Sequence, residues 1–491
     1  MQSALYRLAG SSEKLVVGIL GFGVDGQGVA EWLSSQSEVR EIVIFDDLVS
    51  DQRLATRPAR WPFGRVSDKL RHGTSLNGVD LLFRSPGFPL THPLISDAKK
   101  RGIPITSSTI EVLGGFPGIT VGITGSNGKT TCTALIEEFL KAEFGTERVE
   151  RGGNDGVPRL DLLSSSERIS SALGRRMSES RGVFGAVSRL ILRLDRFAIS
   201  LRIRSRKADF LILELSSFQL IDCPYSPNIA VVLNITPNHL DWHKNMEEYA
   251  EAKRQIVAHQ QSSPRARSRS DRVERLPDHN ISILNPDDAI VKTFAERIES
   301  EVQWFTNDIP WSDVRVKSHP STIRAAVTAA HALNVSEANI LKILREFKGV
   351  PHRLEYVREL ERITYYNDSS CTTPESAIVA CNVFPTGSLI LLLGGRDKKM
   401  DFTRMYEVIK ERRVRIVPYG EMGPTFAKSI PPNLLIPNSD SMNFSVTITL
   451  ARSAAKSGDA IVLSPACTSF DMFKNAKERG AKFVEIVRSL L

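Results

Sequence analysis

An α/β fold in three domains is predicted by three observations. Apolar runs of strand length alternate with helical patterns, glycine-rich turns follow two of those runs, and 491 residues at about 100–200 per domain supply roughly three cores. Hydrophobic content of 41% and charged content of 24% exclude disorder, collagen and coiled coil for the chain as a whole. The first run, LVVGIL at 15–20, leads into glycines and an amphipathic stretch at 27–33, which predicts strand, turn and helix. A second run at 41–45 ends in Asp46 and Asp47, and a third at 79–83 precedes Ser85-Pro86-Gly87. A new strand–helix unit opens at Gly118, setting a boundary near residue 108, and an amphipathic helix at 338–347 precedes a second boundary near Gly349. Beyond it, runs at 363–366, 388–393, 413–418 and 460–463 alternate with helical patterns. The expected domains are 1–108, 109–349 and 350–491.

Two Ser- and Arg-rich stretches, 164–207 and 261–278, interrupt this order. The second reads as a surface loop. In the first, 187–204 alternates apolar and basic residues in a way that suits either an amphipathic helix or a strand pair. Between Asp161 and Lys207 stand eleven basic and four acidic residues, so +7 of the net +8 is local and the remaining chain is nearly neutral. Nucleic acid is therefore not expected as a partner of the body of the protein. The segment 164–207 is either a tolerated insertion or a surface for an anionic partner. Five scattered cysteines, Cys132, Cys223, Cys371, Cys381 and Cys467, give neither a disulfide framework nor a zinc ribbon. The absence of an apolar run of ~20 residues and of a secretory start predicts a cytoplasmic protein.

The strongest local signal is VGITGSNGKTT at 121–131, between an apolar run and a helical pattern. Gly125 and Gly128 let backbone N–H groups close around phosphate oxygens, Lys129 adds a cation, and the Thr130 hydroxyl can ligate Mg²⁺. The strict phosphate-loop pattern has glycine where this chain has Ile123, and the rival reading is a chance glycine turn. Glu214, ending the strand in DFLILELSSFQL, suits a metal-holding carboxylate or a solvated strand end. In NITPNHLDWH, His239 and Asp241 follow another strand, His239 being a metal ligand or a hydrogen-bonded loop residue. Gly21, Gly23 and Gly26, with Asp46 twenty residues on, meet the dinucleotide fingerprint, which predicts a pyrophosphate-bearing ligand or a helix-packing turn. An NAD enzyme would also need hydride-transfer residues, and none is identified.

In their order along the chain these motifs resemble the Mur ligase superfamily. They are GFGVDGQG, RSPG, GITGSNGKTT, GGND, ELSSFQL, NITPNHLD, EEYAEAKRQI, LNPDD, GVPHRLE, YNDSSCTTPES, LLLGGRDKKMDF and LSPACTSFDMFKNAKERG. The last three blocks are similar to its D-glutamate-adding branch. The resemblance implies a Rossmann-like N-terminal domain, a central phosphate-loop ATPase-type parallel sheet and a Rossmann-like C-terminal domain. It further implies an ATP-dependent ligase of peptidoglycan precursor synthesis that works through an acyl phosphate, as a monomer, with closure of the C-terminal domain completing the site. UDP-N-acetylmuramoyl-L-alanine would be held by Val24, Asp25, Asp46, Asp47, Ser85, Gly87, Asn154 and His239, and ATP by Gly125, Asn127, Gly128, Lys129, Thr130, Thr131, Asn154, Arg353 and Asp368.

Two Mg²⁺ ions would take Thr130, Glu214, His239 and Lys253, the last as a carbamate; otherwise Lys253 is an exposed helix lysine. Lys129, Lys253, His239 and Glu214 are the catalytic residues so implied, and D-glutamate would meet Lys398, Thr372, Ser469 and Phe470. Departures from the family pattern include Asp25 and Asp47 for small hydroxyl residues, Asp155 for Ile, Ile323 for Asn, Ser370 for Lys and Ala476 for an aromatic residue. Loss of a lysine where a dicarboxylate binds puts the added amino acid in question. The alternatives are a related acid:amino-acid ligase of other specificity and a phosphate-loop protein without ligase turnover.

Overall fold

The computed structural model describes residues 14–36, 38–46, 69–116, 118–153, 208–240, 242–260, 279–309, 314, 317–397 and 400–490. Asp47, Asn154, Asp155, Asp241, Lys398 and the stretches 164–207 and 261–278 lie outside them. Three sheets carry the fold, as the alternation of runs predicts. The first contains β1 (Leu15–Leu20), β2 (Val39–Phe45), β3 (Leu70–His72), β4 (Leu81–Arg84) and β5 (Ile105–Thr106) in the order β3-β2-β1-β4-β5, all parallel. The third apolar run becomes a strand later than its residues suggest, because the Asp80 carboxylate accepts the Val16 N–H and the Val79 N–H closes a turn on Leu76.

The central sheet holds β6 (Ile119–Thr124), β7 (Val149–Gly153), β8 (Phe210–Glu214), β9 (Ile229–Val232), β10 (Ile281–Leu284) and β11 (Glu301–Trp304) in the order β11-β10-β9-β6-β8-β7. Its strands are also parallel. The third sheet, β12 (Glu355–Leu360), β13 (Ile363–Asn367), β14 (Leu389–Gly394), β15 (Arg415–Tyr419) and β16 (Ala460–Ala466), runs β12-β13-β16-β14-β15 with one antiparallel edge pair, β12 and β13. Parallel strands covered by helices are buried on both faces, which is why β1, β6, β8, β9 and β14 read as continuous apolar runs rather than alternating ones. Among the described residues no helix is long and apolar enough to cross a membrane.

Topology decides where ligands can sit. In open parallel sheets the crevice lies beyond the carboxyl ends of the strands where their order reverses. That point is β1/β4 in the first sheet and β6/β9 in the second, so the turns after residues 20, 84 and 124 face open crevices. The first two sheets belong to one compact unit, Met1–Ser126 with Leu140–Phe305 and Thr328–Val335. The third belongs to another, Asn127–Phe139 with Thr306–Val327 and Ser336–Leu491.

Among the described residues of the first unit, an ion pair joins the end of β4 to the segment that follows β8. Arg84, at the end of β4, donates from Nε and Nη2 to the two Asp222 carboxylate oxygens at 2.8 and 2.6 Å. Its side chain has no exposed surface. Truncating a partner leaves an uncompensated buried charge, so Asp222→Ala is expected to destabilise this unit by about 3–5 kcal/mol, read from its denaturant midpoint. A change under about 1 kcal/mol would mean that the guanidinium is solvated after all.

Candidate active site

The turn after β1 is built around its own backbone. The Gly21 N–H donates to the Phe45 carbonyl, and the Phe22 N–H to Asp46 Oδ2 at 2.7 Å. A Cβ on Gly26 would come within 2.3 Å of the Gly21 carbonyl oxygen, so only glycine lets the helix Val24–Ser34 start this close to the strand. The Ser85 hydroxyl donates to that same carbonyl at 2.7 Å and ties the turn after β4 to the turn after β1. Together these turns line a cleft of about 990 Å³, which holds Val24, Asp25, Asp46, Ser85 and Gly87. His239 is not part of its lining. Sequence reasoning missed His72, Thr74, Phe88 and His92 on the near side and Gly153, Ser216 and Phe218 from the central sheet. His92 carries one local signal, its place before Pro93, where its Nδ1 caps the helix Pro93–Arg101.

Asp25 stands apart chemically from its neighbours. Its Oδ1 accepts the Ser108 hydroxyl at 2.7 Å, while Oδ2 is buried without a hydrogen-bond partner among the described residues. Burial raises its carboxyl above the usual range, opposed by Ser108 and by the nearby positive charge of Arg84.

The phosphate loop leaves β6 at Thr124. Gly125 at φ +155° and Gly128 at φ +86° adopt backbone shapes that a side chain disfavours. The first half of the loop is pinned from both sides: Thr124 Oγ1 donates to Leu215 O at 2.8 Å, and the Ser126 N–H to Asn234 O at 2.8 Å. The Ser126 hydroxyl also meets Thr236 O and Tyr249 Oη, each at 2.9 Å. Ile123, the departure from the strict motif, lies inside β6 and pairs with Glu214, so register puts that carboxylate at the mouth of the loop. Lys129 and Thr130 open the helix Lys129–Phe144 and are half-buried, and Thr131 is more buried than either.

Lys253 is not an exposed helix lysine. It is 2% exposed, and its Nζ donates to Gly125 O at 2.8 Å and lies 3.4 Å from Thr124 Oγ1. The helix Met246–Ala258, capped by Asn245, turns Tyr249 and Lys253 inward at i and i+4, with Nζ 4.9 Å from the Tyr249 ring centre. His239 is exposed, in a left-handed conformation at φ +56°, with its ring 4.9 Å from Phe218. The buried histidine of this motif is His243, which sequence reasoning did not single out. Its Nε2 meets Ser217 Oγ at 2.9 Å and its ring stacks on Phe218. Burial lowers its pKa, against the pull of Glu248.

Among the described residues no three His, Cys, Asp or Glu side chains group to hold a metal ion. Mg²⁺ commonly takes only one or two carboxylates, completing its shell with phosphate oxygens and water. Glu214, a single strand-end carboxylate beside a glycine loop, fits that role.

In the second unit the turns after β13 and β16 carry Asp368, Thr372, Ser469 and Phe470, and Arg353 stands just before β12. Asp368 Oδ2 accepts the Ser464 hydroxyl at 2.7 Å and Oδ1 the Leu354 N–H at 3.2 Å. Burial pushes its carboxyl up to about 7, although Ser464 and the charge of Arg353 favour the anion. Arg353 is exposed, Thr372 is half-buried, Ser469 is buried, and Phe470 is 60% exposed. Ser370, half-buried, supplies no cation. The nearest sequence neighbour, Ser369, instead accepts Arg479 Nε at 3.0 Å on its hydroxyl and Nη2 at 2.9 Å on its carbonyl, and Arg479 is fully buried.

Comparison with known proteins gives one consistent answer. The family model described as the Mur ligase middle domain matches residues 194–319. A UDP-N-acetylmuramoylalanine–D-glutamate ligase of Clostridium acetobutylicum is 30% identical over 96% of either chain. One from Acetivibrio thermocellus is 33% identical over 85% of this chain and 84% of its own. The MurF ligase of Thermotoga maritima, solved in complex with ADP, shares the fold with a TM-score of 0.50 at 16% identity, covering 97% of this chain and 95% of that one.

A carboxyl raised in the folded chain holds its proton there at pH values where the unfolded chain has lost it. Asp368 therefore costs stability as pH climbs from its ordinary 3.8 towards about 7, and nothing further above that. The expected slope is at most about 1.4 kcal/mol per pH unit, and Asp368→Asn should remove it. Chemical denaturation of both proteins at about pH 5 and about pH 8 measures the difference; equal slopes would contradict the burial argument.

Proposed function

The chain belongs to the UDP-N-acetylmuramoylalanine–D-glutamate ligase branch of the Mur ligase family, and we propose that it joins D-glutamate to UDP-N-acetylmuramoyl-L-alanine at the expense of ATP. The observation that supports this most is the cleft. Its lining draws Ser85 and Gly87 from one sheet and Ser216 and Phe218 from the other, just beyond the metal-suited Glu214, so a uridine-diphosphate site adjoins the phosphate-loop strand ends.

On this reading the uridine diphosphate is bound by Val24, Asp25, Asp46, Asp47, Ser85 and Gly87, with Asn154 and His239 assigned to the same substrate. ATP is assigned to Gly125, Asn127, Gly128, Lys129, Thr130, Thr131, Asn154, Arg353 and Asp368, and the amino acid to Lys398, Thr372, Ser469 and Phe470. Thr130 and Glu214 would hold one Mg²⁺, and His239 with a carbamylated Lys253 a second, and the metal would supply charge neutralisation to the triphosphate. Lys129 adds a cation there, so the alanyl carboxylate can attack the γ-phosphorus and form an acyl phosphate as the bond to the β,γ-bridging oxygen breaks and ADP leaves. The amine of D-glutamate then attacks that carbonyl, and phosphate leaves as the amide forms. Lys253 as a free amine tethers the loop through Gly125. Carbamylation would keep one N–H on Nζ but turn the cation into an anionic carboxylate-bearing group beside Thr124. We assign the three sheets to domains 1–108, 109–349 and 350–491, and the protein to the cytoplasm as a monomer, where ATP and nucleotide sugars are found.

The deciding experiment is phosphate release from ATP and Mg²⁺ with UDP-N-acetylmuramoyl-L-alanine and D-glutamate, L-glutamate, D-aspartate or no amino acid. Release and amide formation with D-glutamate alone is the expected result, despite Ser370. Preference for another amino acid would reassign specificity within the family, and ATP binding without turnover would favour a non-ligase phosphate-loop protein. Glu214→Gln is expected to lower kcat by roughly 10²–10³-fold with ADP affinity little changed.

A further inference from the structure

We propose that Arg84 is a positioning residue for this ligase reaction, its guanidinium setting the distance between the turn that receives the uridine diphosphate and the strand end where the carboxylate meets ATP. The inference rests on the ligase reading above. Arg84 donates every N–H it has. Nη1 serves the carbonyls of Ser85 at 3.3 Å, Pro86 at 3.0 Å and Phe88 at 3.3 Å, curling the turn after β4 around one edge of the guanidinium. The opposite edge takes both Asp222 oxygens, and Nη2 also serves the Phe218 carbonyl at 3.0 Å. One planar group therefore holds the Ser85–Phe88 wall of the cleft to the helix Ser217–Leu220, whose Phe218 lines the other wall. Three residues before that helix stands Glu214.

A ligand that spans two sheets reacts only when both ends are in register. The uridine diphosphate end is set by the first sheet and the acyl end by the second, and a displacement of about 1 Å between reacting atoms can cost about 10²-fold in rate. A lysine cannot do this work, because its ammonium is a point charge without two opposed edges. Loosening the clamp leaves each half-site able to take its own ligand while the carboxylate and γ-phosphorus lose alignment. The signature is a fall in kcat without a fall in affinity.

Arg84→Lys, Asp222→Asn and the double variant, all in the full chain, test this. Measured with ATP, Mg²⁺, UDP-N-acetylmuramoyl-L-alanine and D-glutamate, kcat per folded molecule is expected to drop about 10–100-fold in either single variant. The double variant should fall little further than the worse single one, since both break the same clamp. Calorimetric Kd values for UDP and for ADP should stay within about threefold. A lower Tm with unchanged kcat overturns the proposal, as does a rise in the UDP Kd that accounts for the whole loss. If Arg84→Lys does not fold, Asp222→Asn decides, because its side chain is part-exposed and the change is nearly isosteric. Binding of UDP and ADP with no turnover in the unsubstituted protein overturns the ligase reading itself, and this proposal with it.

Discussion

A guanidinium withdrawn from water must find an acceptor for each of its N–H groups, and in this protein that requirement shapes the floor between two sheets. Arg84 meets it with four backbone carbonyls and one carboxylate, drawn from both sides of the cleft. Desolvating a cation costs several kcal/mol, repaid only when geometry is good and the remaining donors are satisfied. The turn Ser85–Phe88 and the segment Phe218–Asp222 therefore have little freedom to move independently.

The phosphate loop obeys a similar logic with smaller groups. Thr124, Ser126 and Tyr249 donate or accept on fixed neighbours, and the Lys253 amine sits on the Gly125 carbonyl. Buried polar atoms without partners are costly, so those packed behind this glycine loop are hydrogen-bonded to it or to each other. This explains why Lys253 and Tyr249, far along the chain, are buried on one face of a helix rather than solvated.

Legibility in the sequence followed the range of the forces involved. Strand positions such as β1 and β14 were readable because burial on both faces demands continuous apolar residues. Gly21, Gly23, Gly26 and Asp46 were readable from the turn after a strand, a local event with a glycine signature, whereas Val24, Asp25, Ser85 and Gly87 came from the family resemblance of GFGVDGQG and RSPG. The strand at 81–84 began later than its apolar residues, because a side chain 64 positions from Val16 took a ladder N–H. His243, Arg84 with Asp222, and Arg479 were not singled out. A lone histidine or arginine in a sequence looks solvated until its acceptors are known.

The sequence by itself determined the parallel α/β fold, the glycine turns and the ligase family, because periodicity, backbone conformation and ordered motifs are carried by residues close together in the chain. Only the tertiary structure decided that Lys253 is buried on Gly125, that Asp25 holds a carboxylate oxygen without a partner among the described residues, and that Arg84 reaches Asp222 across 138 positions. Those are consequences of desolvation. Whether a charged side chain keeps water or must replace it with protein atoms depends on which distant strands cover it, and no local pattern records that.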